Sequence, residues 1–250
     1  MTDSTHVLTT VAGPVATVTL SRPDALNALT PDMLVELGDT LLEIARDDAV
    51  RVVVLTGEGR AFSSGVDLKA LGGRSLEGGS VGDVLDLPAR RAIELLTTMS
   101  KVVVAKVNGF CFTGALELAL GCDLVVAADE AKFGDTHAKF GLRPTWGMSQ
   151  RLIRLVGVAR ARELSYTART FTGVEAAAWG LAIRSVPRDE LDAVVDELVA
   201  TLLANSPGSL AAYKDLYRAA LDSDMVAGLA YEAGAEYEIP DTDERVADFR

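Results

Sequence analysis

Three short runs of the chain are almost continuously apolar: Val50 to Thr56, Val102 to Val107 and Asp123 to Ala128. Each has strand length and is rich in β-branched valine. A strand without polar alternation has to be covered on both faces, which is the situation of a parallel sheet. Between the runs the spacing turns helical. Thr30 offers an N-cap and Pro31 a first helical position, and Leu34, Leu37, Leu41 and Ile44 follow as one apolar stripe. A second helix is expected from Asp83 to Met99. Buried strands alternating with helices predict an α/β domain with a mostly parallel sheet. The default architecture of that kind is a doubly wound nucleotide fold. However, the chain contains neither G-x-G-x-x-G nor G-x-x-x-x-G-K-[ST], so the phosphate-cradling loops of such folds are missing.

The rest of the chain divides in two. Val15 to Leu20 reads as a first strand closed by a turn at Arg22-Pro23-Asp24. Leu71 to Gly82, with five glycines, is expected to be a mobile surface loop. Thr172 and Glu175 have capping-box spacing for a helix that stops near Gly180. No strand signal appears beyond about Val186. Asp189 to Asn205, Pro207 to Leu221 (capped by Ser206) and Met225 to Tyr237 all read as helices. The expected organisation is a strand–helix core over residues 1–188 and a helical region over 189–250, with no repeat of fixed period.

Composition removes several classes of function. With 24 basic and 36 acidic residues the net charge is −12, which repels nucleic-acid backbones and anionic membrane surfaces. Two cysteines, Cys111 and Cys122, are too few for a disulfide framework and too far apart for a CxxC pair. They are expected to be buried reduced thiols. Two histidines, His6 and His137, argue against a histidine-rich metal site. The opening Met1 to His6 lacks the basic and apolar segments of a signal peptide, and the longest apolar stretch, Leu116 to Ala128, is broken by Glu117 and Asp123. The cytoplasm is the expected compartment.

Two glycine-containing loops follow buried strands and are expected to open into helices: Phe62 to Leu68 and Asn108 to Glu117. Backbone N–H groups left free at such junctions can converge into an oxyanion hole, or the glycines can serve tight turns alone. Glu117 lies one helical turn beyond Gly114, among Leu116, Leu118, Ala119 and Leu120. A carboxylate in that setting has its pKa raised by desolvation, as a general base needs. A structural carboxylate satisfied by a backbone amide or an arginine fits the same position.

Phe62-Ser63-Ser64-Gly65-Val66-Asp67-Leu68 and Asn108-Gly109-Phe110-Cys111-Phe112-Thr113-Gly114-Ala115-Leu116-Glu117-Leu118 resemble the two signature segments of the enoyl-CoA hydratase/isomerase (crotonase) superfamily. Ser21-Arg22-Pro23 with Asn27-Ala28-Leu29, Cys122-Asp123-Leu124, Lys132-Phe133-Gly134, Ser149 to Leu152 and Leu164 to Thr172 extend the resemblance over nearly the whole chain, in the right order.

The resemblance implies a spiral of strand–strand–helix (ββα) turns in place of a doubly wound sheet. Its C-terminal helices would form a trimer interface, in a homotrimer or a dimer of trimers. It implies a coenzyme A thioester as substrate and no metal or redox cofactor. The thioester oxygen would lie between the N–H groups of Val66 and Gly114. Ala61, Ser63, Ser64, Gly65, Asp67 and Leu68 would belong to the coenzyme and substrate site, with Arg22 either near the coenzyme phosphates or idle at the surface. Trp146 and Met148 fall near the expected acyl site, Trp146 as a specificity wall or as core.

Family hydratases use two glutamates, and Glu117 matches the first. Where the second is expected, in Phe133 to Gly141, this chain has His137. A histidine carries protons near neutral pH. His137 therefore serves as the second acid/base, or it is a hydrogen-bonding filler; Asp135 is a weaker substitute because it projects differently. The leading expectation is a hydratase adding water to a 2-enoyl-CoA. A single-base isomerase, hydrolase or decarboxylase of the same superfamily competes with it. A non-catalytic acyl-CoA binder has no use for a base at 117.

Overall fold

The computed structural model describes residues 5–70, 72 and 76–247. In chain order its elements are β1 (Val7–Ala12), β2 (Val15–Leu20), α1 (Pro31–Arg46), β3 (Val52–Gly57), β4 (Ala61–Ser63), α2 (Asp83–Thr98), β5 (Val102–Val107), β6 (Phe110–Phe112), α3 (Gly114–Leu120), β7 (Leu124–Ala128), β8 (Lys132–Gly134), α4 (Met148–Thr167), β9 (Phe171–Thr172), α5 (Gly173–Ala178), β10 (Arg184–Val186), α6 (Leu191–Ala204), α7 (Pro207–Asp222), α8 (Met225–Gly234) and α9 (Thr242–Ala247).

One sheet has the order β1-β2-β3-β5-β7-β10 and the other β4-β6-β8-β9. The two orders interlock. β3 runs into β4, β5 into β6 and β7 into β8, so each of these three strands of the large sheet passes the chain to the small sheet before a helix follows. This is the ββα spiral that the resemblance implied, and the doubly wound default is overturned. Val52 to Leu55 pair in parallel with Val102 to Ala105, and Val104 to Val107 with Leu124 to Ala127. Every residue of β3 is buried, because α6 lies across β3, β5 and β7 with Leu191, Val195 and Val199 in the core. β2, by contrast, alternates buried and half-buried residues, and only the first residue of β1 is buried. α1 buries Leu34, Leu37 and Leu41 completely, each contributing roughly 1.5–3 kcal/mol. Thr30 caps it by accepting the Met33 N–H, and the Thr172–Glu175 capping box starts α5.

The structure departs from the sequence reading in four places. The Phe62 to Leu68 segment does not enter a helix among the described residues; positions 68–70 form a turn in which Asp67 Oδ1 accepts the N–H groups of Lys69 and Ala70. In the 71–82 segment, residues 71 and 73–75 lie outside the described residues, and the part from 76 onward is tied down. Gly79 O accepts Arg143 N–H at 2.9 Å, and the Ser80 hydroxyl donates to Asp86. Helix α4 has no counterpart in the sequence reading: Arg151, Arg154, Arg160 and Arg162 dilute its apolar spacing, and its backbone leaves helical geometry at Gly157. Finally, α8 stops at Gly234 rather than Tyr237. The extended backbone at Ala235 lets the Tyr237 hydroxyl donate to Asp215 at 2.8 Å, next to that of Tyr231.

Cys111 and Cys122 are free, and burial pushes both thiols up. No helix of the described residues is long and apolar enough to cross a membrane.

A single side chain docks α7 on the core. Lys214 Nζ donates to Leu96 O (2.7 Å), Lys101 O (2.9 Å) and Asp123 Oδ2 (2.8 Å), joining the end of α2 to the starts of β5 and β7. Burial pushes the Asp123 carboxyl above the usual range even with this ammonium beside it. Lys214→Met keeps the stem but strands two carbonyls and a carboxylate. We expect a loss of about 2–3 kcal/mol, below the ~3–5 of a fully buried pair because Asp123 is partly exposed. Equilibrium urea unfolding measures it, and an unchanged midpoint would mean that apolar contacts alone dock α7.

Candidate active site

The cleft forms where the loop after β4 meets the β6–α3 junction. Gly65 has φ +92, and a Cβ there would fall 2.3 Å from Thr113 Oγ1 and 2.7 Å from Phe112 O, so only glycine lets these loops touch. Leu29 bridges to the first loop in parallel-strand fashion: its N–H donates to Gly65 O and its carbonyl accepts Asp67 N–H. The bridge skips Val66, whose N–H has no acceptor among the described residues. Gly114 is the first residue of α3, so its N–H has no acceptor within the helix. A Cβ on Gly114 would meet the Trp146 ring at 2.3 Å, so the indole packs directly against the junction.

Glu117 stands on α3, a helix buried at every position, and is 2% exposed. Its Oε1 accepts the N–H groups of Trp146 (3.0 Å) and Met148 (2.9 Å), while Oε2 lies 3.7 Å from His137 Nε2. Burial pushes this carboxyl above the usual range, and the Met148 N–H, His137 and the Trp146 N–H only partly offset it.

His137 opens the short 3₁₀ turn His137–Phe140 after β8, and its Nδ1 meets Asp135 Oδ1 at 2.6 Å. The other oxygen of Asp135 accepts the Ser165 hydroxyl of α4 at 2.6 Å. Burial alone would raise the Asp135 carboxyl, but the hydrogen bonds from His137 and Ser165 outweigh it and hold it below the usual range. Ser165, Asp135, His137 and Glu117 thus form one row running from α4 into the cleft.

The expected site residues separate into two groups. Val66, Gly114, Glu117, His137, Ser64, Leu68 and Trp146 line one cleft of about 120 Å³, together with Thr113, Val81, Leu142 and Arg143 among others. Ala61 and Ser63 are fully buried in β4 behind it, and the Ser63 hydroxyl accepts Gly65 N–H. Arg22 is neither idle nor free: it pairs with Asp67 at 3.2 Å and donates to Ala28 O, bracing the Val66 loop from outside. Trp146 belongs to the core at 4% exposure and also lines the cleft.

Two supports escaped the sequence reading: the role of Asp135, weighed there only as a weaker acid/base, and Asp86 altogether. Asp135 projects differently from His137: it does not line the cleft but meets Nδ1 of His137, so it orients that ring. Asp86 sits on the buried face of α2 between Leu85 and Ala89. It accepts Ser80 Oγ–H (2.7 Å), Thr145 Oγ1–H (2.6 Å) and Trp146 Nε1–H (2.7 Å). Burial works to raise its pKa, but these bonds and Arg90 hold it below the usual range. It thereby fixes the 145–148 loop whose N–H groups hold Glu117. A carboxylate inside an apolar helical stripe was the available signal. Among the described residues no cluster of three or more His, Cys, Asp or Glu side chains is placed to hold a metal ion.

Known proteins match the chain over nearly its whole length. Residues 10–247 match the family model for enoyl-CoA hydratase/isomerase. The short-chain-enoyl-CoA hydratase of Clostridium acetobutylicum is 35% identical over 232 residues, covering 92% of this chain and 87% of the relative. A Thermobifida fusca structure solved with acetoacetyl-CoA superposes with a TM-score of 0.81 at 37% identity, covering 92% of both chains. A monofunctional enoyl-CoA isomerase from M. smegmatis superposes with a TM-score of 0.77 at 32% identity, covering 93% of this chain and 100% of the other. Fold, motifs and relatives agree: the chain belongs to the enoyl-CoA hydratase/isomerase family.

Proposed function

We propose that the chain hydrates 2-enoyl-CoA thioesters, with Glu117 and His137 as the acid/base pair. The observation that carries this reading is the approach of Glu117 Oε2 to His137 Nε2, 3.7 Å apart in a cleft also lined by Val66 and Gly114. Hydration requires one proton taken from water and one delivered to carbon. Glu117, fixed through Oε1, has Oε2 free to take a proton from water as the hydroxide adds to the β-carbon. The charge moves onto the thioester oxygen, where the Val66 and Gly114 N–H groups receive it. His137, protonated at Nε2 and oriented by Asp135 at Nδ1, protonates the α-carbon. Proton transfer from Oε2 to Nε2 then restores both groups.

The substrate is an acyl-CoA thioester, as supported by the acetoacetyl-CoA bound in the T. fusca structure, and the reaction draws on no metal or redox cofactor. The assembly is a homotrimer or a dimer of trimers in the cytoplasm. Exposed Met225, Val226 and Leu229 on α8 support this by supplying an apolar surface for subunit contact. A second reading, double-bond isomerisation with Glu117 as sole base, is favoured by the M. smegmatis relative. Absorbance of the conjugated thioester separates the two, because hydration bleaches it and 3-to-2 isomerisation creates it.

Glu117→Gln retains the acceptor for the two backbone N–H groups and loses proton transfer. We expect kcat to fall about 10²–10⁴-fold with little change in KM. The same substitution raises stability. Glu117 has a folded-state pKa above its unfolded value, so the free energy it costs the fold grows as pH rises from the ordinary carboxylate range through the folded pKa. The Tm advantage of Gln is therefore largest at neutral pH and vanishes in acid. A folded Glu117→Gln protein with parental activity would place the base elsewhere.

His137→Ala should lower hydration by a similar ~10²–10⁴-fold while coenzyme A affinity, read by calorimetry, survives. His137→Glu should keep or regain hydration. Parental hydration by His137→Ala would assign the chemistry to Glu117 alone and favour the isomerase.

A further inference from the structure

Thr113 is the cleft residue that this mechanism leaves unused. Its backbone is held at φ 45, ψ −113. Other positive-φ residues such as Leu26 and Ala168 rest in the ordinary left-handed well, at ψ 35 and 29. The Thr113 conformation lies outside that well, where a β-branched side chain is strained. Two hydrogen bonds impose it: the Thr113 N–H donates to Gly134 O, and its carbonyl accepts the Glu117 N–H, both at 2.9 Å. Glycine would occupy the same backbone without strain.

The side chain that incurs this strain carries a hydroxyl with no hydrogen-bond partner among the described residues. Its position is well defined. Oγ1 fills the space a Cβ on Gly65 would need, 2.3 Å from that point, and so packs against the residue that precedes Val66. The next residue along the chain is Gly114. Thr113 thus adjoins both segments that carry the Val66 and Gly114 N–H groups, and it lines the same cleft.

We propose that the Thr113 hydroxyl is a third hydrogen-bond donor to the thioester oxygen of the bound acyl-CoA. This deepens, and rests on, the acyl-CoA reading given above. A hydroxyl without a protein acceptor is free to turn its proton toward an oxygen that gains charge, and hydrogen bonds to an ionised acceptor are roughly twice as strong as neutral ones. It touches the substrate and moves no proton.

Three variants test it. Thr113→Val keeps the branched shape and the strain but removes the hydroxyl. Thr113→Ser keeps the hydroxyl, and Thr113→Gly relieves the strain. The probes are acetoacetyl-CoA, whose β-keto thioester ionises to an enolate, and coenzyme A, which has no acyl oxygen; binding is read by calorimetry. Thr113→Val should bind acetoacetyl-CoA about 10-fold more weakly with coenzyme A affinity unchanged, and its kcat should fall about 10- to 100-fold, at or below the ~10²–10³ typical for an oxyanion donor. Thr113→Ser should stay within about threefold of the parent, as expected for a retained hydrogen bond. Thr113→Gly should show a Tm at or above the parent yet bind as weakly as Thr113→Val. Parental acetoacetyl-CoA affinity in Thr113→Val overturns the proposal and leaves the functional reading intact; equal weakening toward both probes overturns it as a mere deformation of the cleft. A parent that hydrates no 2-enoyl-CoA yet shows a hydroxyl-dependent acetoacetyl-CoA affinity would fail only the hydratase reading, while a parent that binds no acetoacetyl-CoA would remove both.

Discussion

The site depends on one carboxylate held inside the core. An ionised Glu117 at 2% exposure would be untenable without partners, and its own helix supplies none. The N–H groups of Trp146 and Met148 come instead from a loop nearly thirty residues away, and that loop is held by a second buried acid, Asp86 of α2. Two carboxylates thus grip one loop from opposite sides. The arrangement satisfies Oε1 and leaves Oε2 facing His137, so the requirement to solvate a buried charge also orients the reactive oxygen.

The scaffold supports this at short range. The change from the large sheet to the small one happens at β3–β4, β5–β6 and β7–β8, and the cleft is built from the segments just beyond the small-sheet strands. The segment after β4 carries Val66, the junction after β6 carries Gly114 and Glu117, and the turn after β8 carries His137. Three successive turns of the spiral therefore contribute one piece each, in register with the parallel pairing of their strands.

Legibility in the sequence tracks how local the physics is. β3, β5 and β7 announce themselves because they are covered on both faces, and α1 because its stripe is uninterrupted and capped. The strands of the small sheet are two or three residues long and carry no periodicity of their own. Helix α4 is polar along much of its length and broken at Gly157. The segment after Val66 has the look of a helix start, but Asp67 closes it as a turn. At the site, Glu117 is legible from its apolar neighbours and His137 from its place in a motif. Their supports are not: Asp86 acts across sixty residues of sequence and Asp135 through Ser165 thirty residues on, and neither distance leaves a mark on local composition.

The bond between Gly79 O and Arg143 N–H joins two segments that flank the cleft, and the Arg143 side chain adds another to Gly78 O. The first of these is main chain to main chain. The spacing of that rim is consequently a property of backbone length and register, and it requires glycine at 79, where φ is +73 and a Cβ would fall 3.1 Å from Gly141 O. Substitution at 143 can recolour the rim, whereas an insertion or deletion in either segment would resize it.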